Sequence, residues 1–281
     1  PNVIFHLAAE SHVDRSIEGP QQFINTNILG TYNLLEASRI MLSNFKKGSN
    51  FSFQFYHVST DEVFGDLDID SFGFNEKTSY DPSSPYSATK ASSDHLVRAW
   101  GRTFNIPYII SNCSNNYGPY QFPEKLIPHS IINALKGKKL PIYGDGLQIR
   151  DWLHVDDHVK AILKISKNGK LYNSYNVGGN NEIKNIEVVS LICNYLDKVI
   201  ETKPSNIKSF SELITYVSDR PGHDKRYAID TTKINNELSW YPDEKFKNGL
   251  IKTIDWYLDN SNWWEEIISG QYKLDRIGEL E

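Results

Sequence analysis

The sequence predicts an α/β fold, a doubly wound parallel sheet with a smaller domain interleaved into it. Two observations predict this fold class. Apolar, strand-like runs at 3–8 and 51–59 alternate with long amphipathic helices at about 20–42 and 86–104. Polar segments rich in small residues follow the strands, at the positions where ligands bind in sheets of this type.

The elements follow one another as a parallel sheet requires. The run at 3–8 is the first strand, and the next helix begins at Pro20, whose missing N–H costs little in a first turn. The aromatic run "FSFQFYHVS" at 51–59 is a buried second strand, and "YIISNCS" at 108–114 is a third. The segments "DWLHVDDHVKAILKIS" and "SYNVGG" predict a later helix and strand that return to the main sheet.

Charge and composition exclude several classes of partner. The net charge of the 281 residues is -5, and no dense basic stripe is present, so we expect neither nucleic-acid binding nor attraction to an anionic membrane. No apolar segment approaches the length of a membrane span. The two cysteines, Cys113 and Cys193, are too few for a disulfide framework, so a reducing cytoplasm is the expected location.

Three polar segments lie at the ends of the first three strands. They are "AAESH" at 8–12, "STDE" at 59–62 and "SNNYGP" at 114–119. The carboxyl ends of parallel strands meet at one edge of the sheet, so these segments predict one shared site.

Tyr86 and Lys90 are one helical turn apart in "YSATK" and can lie on the same face of the helix. A nearby cation stabilises phenolate and lowers the pKa of a tyrosine, which can then act as a base. A Tyr-x-x-x-Lys pair also arises by chance in many helices, and its position one element after the strand-end Thr60 favours the catalytic interpretation.

The adjacent carboxylic acids Asp61 and Glu62 can supply an acid and a base at once. Like-charge repulsion and partial burial favour a state in which the pair holds one proton. The alternative is that both residues only cap a turn. The presence of Tyr86 and Lys90 favours the catalytic interpretation of Asp61 and Glu62.

Metal binding is a rival interpretation for His6, His12 and Asp14. Their spacing is loose, and a histidine in a strand is usually a hydrogen-bonded core residue. We therefore expect no metal site.

Six motifs together resemble the nucleotide-sugar 4,6-dehydratases of the extended short-chain dehydrogenase/reductase family. They are "HLAAESHVDRSI", "STDEVFG", "YSATKASSDHLVRAW", "NCSNNYGPYQFPEKLIP", "LPIYGDGLQIRDWLHVDD" and "DRPGHDKRY". The resemblance runs from residue 1 to about residue 258 and implies a Rossmann fold of that family's type. The Thr-Asp-Glu triplet is what separates dehydratases from 4-epimerases in this superfamily.

The resemblance implies an NAD-dependent lyase reaction. Tyr86, held as phenolate by Lys90 and a cationic nicotinamide, takes the proton of the hexose 4-hydroxyl while hydride passes from carbon 4 to NAD. Glu62 removes the proton on carbon 5, Asp61 protonates the departing 6-hydroxyl, and hydride returns to carbon 6. Thr60 hydrogen-bonds the 4-hydroxyl or the developing ketone.

The resemblance also implies binding residues, each assigned from its position in one of the matching motifs. The expected NAD contacts are Ala8, Ala9, Ser11, Thr26, Tyr86, Lys90 and Asn116. The expected contacts with the nucleotide sugar are Ser11, Thr60, Asn115, Lys125, Leu126, Pro141, Ile142, Tyr143, Arg150, Asn185, Arg220 and His223. Among these, Tyr143 is available to stack on the base, and Arg150, Arg220 and His223 are the expected diphosphate ligands. A surface salt bridge is the alternative for the arginines.

The resemblance also implies a division into domains and a homodimer. An NAD-binding domain is expected at 1–112 and 151–180, and a nucleotide-sugar domain at 113–150 and 181–281. The two long helices are the expected dimer interface.

Three functions stay open. A 4,6-dehydratase is favoured, with dTDP-glucose preferred as substrate because the whole-chain resemblance is closest there. UDP-glucose differs in one methyl group, worth about 1 kcal/mol of burial. A 4-epimerase or decarboxylase would need no acid–base pair, and a non-catalytic NAD or nucleotide-sugar binding module would need none of Asp61, Glu62, Tyr86 and Lys90. The deoxysugar pathway, rhamnose or another, is left open.

A glycine-rich turn of the Gly-x-x-Gly-x-x-Gly type is absent from the sequence. In the family this turn places the NAD pyrophosphate at a helix N-terminus. We expect these 281 residues to lack roughly two βα units, and therefore to bind NAD poorly and turn over little. Tight, stoichiometric NAD in the purified 281-residue chain would contradict this expectation.

Overall fold

A computed structural model describes residues 1–44, 52–204 and 207–270. The strands are β1 (Val3–His6), β2 (Gln54–Thr60), β3 (Tyr108–Cys113), β4 (Asn115–Tyr117), β5 (Leu140–Tyr143), β6 (Ile149–His154), β7 (Asn173–Val177), β8 (Glu182–Lys184) and β9 (Ile214–Val217). The α-helices are α1 (Val13–Glu18), α2 (Pro20–Phe23), α3 (Gly30–Ser43), α4 (Pro85–Phe104), α5 (Leu126–Leu135), α6 (Val155–Asn168), α7 (Asn185–Val199), α8 (Thr232–Leu238), α9 (Phe246–Asp259) and α10 (Ser261–Ser269). None of the helices within the described ranges is both long and apolar enough to span a bilayer.

The main sheet is parallel, with strand order β1-β2-β3-β7. Neighbouring residues of a strand point to opposite faces of the sheet, and the central strands are buried on both faces. Phe55 packs in one core cluster with Leu35 of α3, whereas Tyr56 packs in another with Ile165 of α6. Helices therefore cover both faces, and the predicted doubly wound sheet is confirmed.

The chain leaves the main sheet after β3 and builds two small sheets. One has the order β4-β6-β8, and the other pairs β5 with β9 in parallel. After α6, strand β7 returns to pair with β3. A separate core lies among α5, α7, α9 and α10. The predicted domain boundaries stay a prediction, and residues 271–281 of the second domain lie outside the described part.

The two predicted long helices are present. The first is helical from α2 to α3, with a π-helical turn between them at Ile24–Leu29. The second is α4, whose start is fixed by a capping box between Ser84 and Ser87 with Pro85 in the first turn. It ends at Asn105, which takes a left-handed conformation at φ 57°. These caps place Tyr86 and Lys90 in the first two turns.

A tight 3₁₀ turn at Asp61–Phe64 follows β2 directly. Thr60 caps it, because its hydroxyl accepts a hydrogen bond from the Glu62 N–H at 3.3 Å. Gly65 ends the turn at φ 88°, and a Cβ there would collide with the carbonyl oxygen of Asp81. Only glycine satisfies both conditions, so the position of the carboxylates depends on this residue.

We expect Gly65→Ala to destabilise the fold by about 2 kcal/mol because it combines left-handed strain with a backbone collision. Urea unfolding of the two proteins measures the difference. Gly30→Ala is the matched control, since Gly30 is helical at φ -60° and its new Cβ would lie 3.9 Å from the nearest atom. That control should stabilise slightly. Equal stability of wild type and Gly65→Ala would contradict the prediction.

Candidate active site

The Thr60-Asp61-Glu62 triplet lies at the carboxyl end of β2 as predicted. The Asp61 side chain is 1% exposed, and its Oδ1 accepts a hydrogen bond from the Thr60 hydroxyl at 3.3 Å. Its other oxygen, Oδ2, is buried and has no hydrogen-bond partner among the described residues. A buried carboxyl oxygen in this state favours the protonated acid.

Electrostatics separates the two carboxyl groups. Burial, the neighbouring charge of Glu62 and the charge of Asp151 raise the pKa of Asp61 well above its usual range. Burial also raises the pKa of Glu62, but Arg220 and other nearby cations oppose that shift. Of the two, Asp61 therefore has the stronger tendency to keep its proton, and Glu62 has the surrounding cations that favour its ionised form.

Tyr86 and Lys90 project from the first two turns of α4 into the same region. Lys90 Nζ donates to the carbonyl oxygen of Val58 at 2.9 Å. That Lys90 and a cationic nicotinamide together hold Tyr86 as phenolate stays a prediction. Burial and the charge of Glu62 raise the pKa of Tyr86 well above its ordinary value, and the pKa of Lys90 is itself lowered by burial.

A cavity of about 260 Å³ opens at the carboxyl ends of β1, β2 and β3. It is called the larger cavity below. Ten residues predicted for the site line it: Ala9, Ser11, Thr60, Asp61, Glu62, Tyr86, Lys90, Asn115, Asn116 and Lys125. The three strand-end segments thus meet at one site. Ala8 and Thr26 are not part of its lining, and Thr26 lies in the π-helical turn.

A smaller cavity of about 130 Å³ adjoins the first and shares Ser11, Glu62, Asn115 and Lys125 with it. The further predicted residues in its lining are Leu126, Tyr143, Arg150, Asn185, Arg220 and His223. Pro141 and Ile142 were predicted beside Tyr143, but as parts of β5 they line neither cavity.

Cations concentrate in the smaller cavity. Arg150 is anchored by the carbonyl oxygens of Ile149 at 2.8 Å and Asp224 at 2.9 Å, and its guanidinium lies 4.2 Å from the centre of the Tyr227 ring. Burial and the two arginines lower the pKa of His223 to about 4, so this histidine is neutral near neutral pH. The alternative of a surface salt bridge does not apply to Arg150, which is 5% exposed.

Asp94 is a buried carboxylate that the sequence reasoning missed. It accepts hydrogen bonds from Ser59 at 2.9 Å and Tyr80 at 2.8 Å, and His57 Nε2 lies 3.1 Å from it. Burial alone would raise the pKa of Asp94, but His57, Lys90 and Tyr80 hold it below the usual value. Its position four residues after Lys90, on the same helical face, was the available signal.

The residues of the rival metal hypothesis have other partners. His6 Nε2 lies 2.9 Å from the Thr31 hydroxyl, His12 caps α1, and Asp14 binds Arg220 at 2.9 Å. Across the described residues, no group of three or more His, Cys, Asp and Glu side chains is placed to hold a metal ion.

A family model described as GDP-mannose 4,6 dehydratase matches residues 1–253. The chain belongs to this family of nucleotide-sugar 4,6-dehydratases. A dTDP-glucose 4,6-dehydratase of Escherichia coli is 57% identical to this family member over 292 residues, which cover 100% of the chain and 80% of the relative. The dTDP-glucose 4,6-dehydratase of Neisseria meningitidis serogroup B is 55% identical over 99% of the chain and 78% of the relative.

Solved structures of other nucleotide-sugar enzymes share the fold of this dehydratase-family chain. DesIV, a dTDP-glucose 4,6-dehydratase of Streptomyces venezuelae solved with NAD, has a TM-score of 0.84 at 41% identity, over 95% of this chain and 76% of that one. A UDP-glucuronic acid 4-epimerase of Bacillus cereus has a TM-score of 0.79 at 27% identity, over 92% and 76%. The predicted family and its Rossmann-type fold are confirmed.

We expect Asp61→Asn to stabilise the protein at neutral pH. The folded state raises the pKa of Asp61, so ionisation of this carboxyl costs stability as pH rises above its unfolded value, and asparagine removes that cost. The gain in Tm over wild type should grow from about pH 4 to about pH 8.

Asp94→Asn is the matched comparison with the opposite sign. The pKa of Asp94 is lowered in the folded state, so its ionised form contributes stability that is lost on acidification. This variant should melt below wild type at neutral pH, with a smaller deficit in acid. A constant Tm difference across pH for Asp61→Asn would show that Asp61 does not titrate in this way.

Proposed function

We propose that this chain acts as a dTDP-glucose 4,6-dehydratase, forming dTDP-4-keto-6-deoxyglucose with loss of water. The observation that carries the proposal is the placement of Thr60, Asp61 and Glu62 in one cavity with Tyr86 and Lys90. An acid and a base on adjacent residues suit elimination, and a tyrosine in the same cavity suits proton removal from a hydroxyl. The relatives of this name, more than half identical over nearly the whole chain, support the substrate.

The larger cavity fits a nicotinamide cofactor. Four buried polar atoms in its lining have no hydrogen-bond partner within the described residues: Asp61 Oδ2, Ser114 Oγ, Asn115 Oδ1 and Gln121 Oε1. A polar ligand would satisfy them. Ala9, Ser11, Tyr86, Lys90 and Asn116 would hold NAD there. The chemistry that bound NAD supplies is acceptance of hydride from carbon 4 of the hexose and its return to carbon 6.

Tyr86 is the base for the first step. Its phenolate oxygen takes the proton of the hexose 4-hydroxyl, and the Thr60 hydroxyl orients the oxygen of that sugar group. Because burial and Glu62 raise the pKa of Tyr86, its deprotonation needs more positive charge than Lys90 alone supplies. The cationic nicotinamide ring of NAD beside Tyr86 would provide that charge. The strength of Tyr86 as a base would therefore depend on whether NAD is bound.

Asp61 and Glu62 then each carry out one of the two proton transfers of the elimination. The 4-ketone acidifies the hydrogen on carbon 5, and Glu62 accepts this proton. Asp61, which keeps its proton because it is buried, donates it to the departing 6-hydroxyl, and water leaves. Glu62 later returns its proton to carbon 5. The proton gained by Tyr86 balances the one lost by Asp61, so the reaction as a whole consumes no acid.

The smaller cavity suits the nucleotide diphosphate. Arg150, Arg220 and Lys125 bring positive charge to it, and guanidinium groups match phosphate oxygens. Buried polar atoms without a partner in the described ranges also line it: Asn115 Oδ1, Trp152 Nε1, Asn185 Oδ1 and Arg220 Nε. These atoms are ready to bind a polar ligand.

A homodimer is part of the proposal. Four large apolar side chains on the π-helical turn and α3 are more than two-fifths exposed: Ile24, Leu29, Tyr32 and Ile40. Phe104 at the end of α4 is similarly exposed. The same helices on a second copy would cover these side chains.

The decisive experiment compares two substrates in one reaction. The protein, produced with any residues that precede Pro1 in its gene, is given NAD and equal amounts of dTDP-glucose and UDP-glucose. Mass spectrometry should show loss of one water from the dTDP sugar. Loss of water from the UDP sugar alone would support the same mechanism but identify UDP-glucose as the substrate. If neither sugar loses water, the dehydratase proposal fails, and epimerisation or binding alone must be considered.

Variants of the carboxyl pair test the chemistry. Asp61→Asn and Glu62→Gln should each lower turnover about 10²- to 10⁴-fold, because each removes one half of the acid–base pair. Gly30→Ala, in α3 away from both cavities, is the control and should keep full turnover. Normal water loss by both carboxyl variants would remove these residues from the mechanism.

A further inference from the structure

Asp14 is a buried carboxylate that the proposed reaction does not use. It lies in the first turn of α1 at 4% exposure and lines the smaller cavity. Its Oδ1 accepts a hydrogen bond from Arg220 Nη1 at 2.9 Å, and its Oδ2 accepts one from the Tyr143 hydroxyl at 2.5 Å. One carboxylate therefore fixes two side chains that come from distant parts of the chain.

The contact with Asp14 leaves a specific part of Arg220 for another partner. Arg220 Nε is buried and has no hydrogen-bond acceptor in the described part of the chain. The guanidinium also lies 5.9 Å from the centre of the Tyr143 ring. A guanidinium presents its donors in a rigid plane, so holding Nη1 sets the direction of the other N–H groups.

We propose that Asp14 is a positioning residue for the nucleotide diphosphate: it holds Arg220 so that the unpartnered Nε–H faces the phosphate oxygens in the smaller cavity. Asp14 also fixes the Tyr143 hydroxyl, which sets the plane of the ring beside the nucleotide. This inference rests on the proposed function, because it assumes that a nucleoside diphosphate occupies this cavity. Asp14 acts through Arg220 and Tyr143 and takes no part in the chemical steps.

A competing role for Asp14 predicts the opposite result. If its carboxylate occupied Arg220 in place of the phosphate, removal of Asp14 would free the guanidinium and tighten binding. Asp14 binds Nη1 and leaves Nε without a partner in the described part of the chain, which argues for positioning. A carboxylate that competed with phosphate would be expected to accept two parallel N–H bonds from the guanidinium. The sign of the change in affinity therefore decides between the two roles.

The test measures dTDP affinity by calorimetry in Asp14→Asn, Arg220→Gln and the double variant. Asp14→Asn should weaken dTDP binding about tenfold in the wild-type background. In the Arg220→Gln background the same change should have an effect of less than about twofold, because the group that Asp14 orients is gone. For dTDP-glucose turnover, Asp14→Asn should raise KM with little change in kcat.

Glu10→Gln is the matched control. Glu10 is an acidic residue just before α1 that pairs with Arg15 at 3.3 Å, and it lines neither cavity. It should leave dTDP affinity unchanged. If Asp14→Asn does not fold, as judged by its melting curve, Tyr143→Phe takes its place: it removes one of the two bonds that hold Asp14 and should weaken dTDP binding by a smaller factor.

Three results would overturn the inference. Unchanged or tighter dTDP binding by a folded Asp14→Asn protein would remove the positioning role. Equal effects of Asp14→Asn with and without Arg220 would assign it a structural role. Failure of the wild type to bind dTDP at all would instead defeat the proposed function, and this inference with it.

Discussion

The site depends on the burial of two adjacent carboxyl groups at the end of one strand. Burial raises the pKa of Asp61 and of Glu62. Arg150 opposes the shift of Asp61, whereas three cations, Arg220, Arg150 and Lys125, oppose that of Glu62. The 3₁₀ turn closed by Gly65 holds both groups at the mouth of the larger cavity. Two identical functional groups thereby differ in the charges around them, and an elimination by the proposed mechanism uses such a difference.

Asp61 and Asp94 show how the same burial gives opposite outcomes. Both are fully buried in the same half of the molecule. Each carboxyl group has one oxygen with no hydrogen-bond partner among the described residues, Asp61 Oδ2 and Asp94 Oδ1. Asp94 Oδ2 accepts bonds from Ser59 and Tyr80, and His57 Nε2 lies 3.1 Å from Asp94 Oδ1. The charges of Glu62 and Asp151 add to the rise in the pKa of Asp61, whereas His57, Lys90 and Tyr80 lower the pKa of Asp94. Neighbouring charges and hydrogen-bond donors, and not depth alone, therefore set the pKa of a buried carboxyl group.

The fold and the grouping of the site could be predicted because both follow from local patterns. The spacing of apolar residues in strands and helices predicted the sheet. The polar segments at the strand ends predicted which residues meet at the larger cavity. What could not be predicted depends on distant packing. The bond between Asp14 and Arg220 joins residues 206 positions apart, and the effect of burial on Tyr86 has no signature in the spacing to Lys90. Ala8, Thr26, Pro141 and Ile142 were placed by motif alone, and neither cavity includes them.

The two cavities are joined through shared residues, and this constrains how substrate binding relates to chemistry. Glu62 and Lys125 line both of them, and Arg220 and Arg150, which line the smaller cavity, oppose the rise in the pKa of Glu62. A diphosphate that neutralises these arginines would weaken their pull on Glu62 and make it a stronger base. The base would then gain strength only when the nucleotide is in place. Coupling of this kind follows if the cations proposed to bind phosphate lie within reach of the carboxylate proposed as the base.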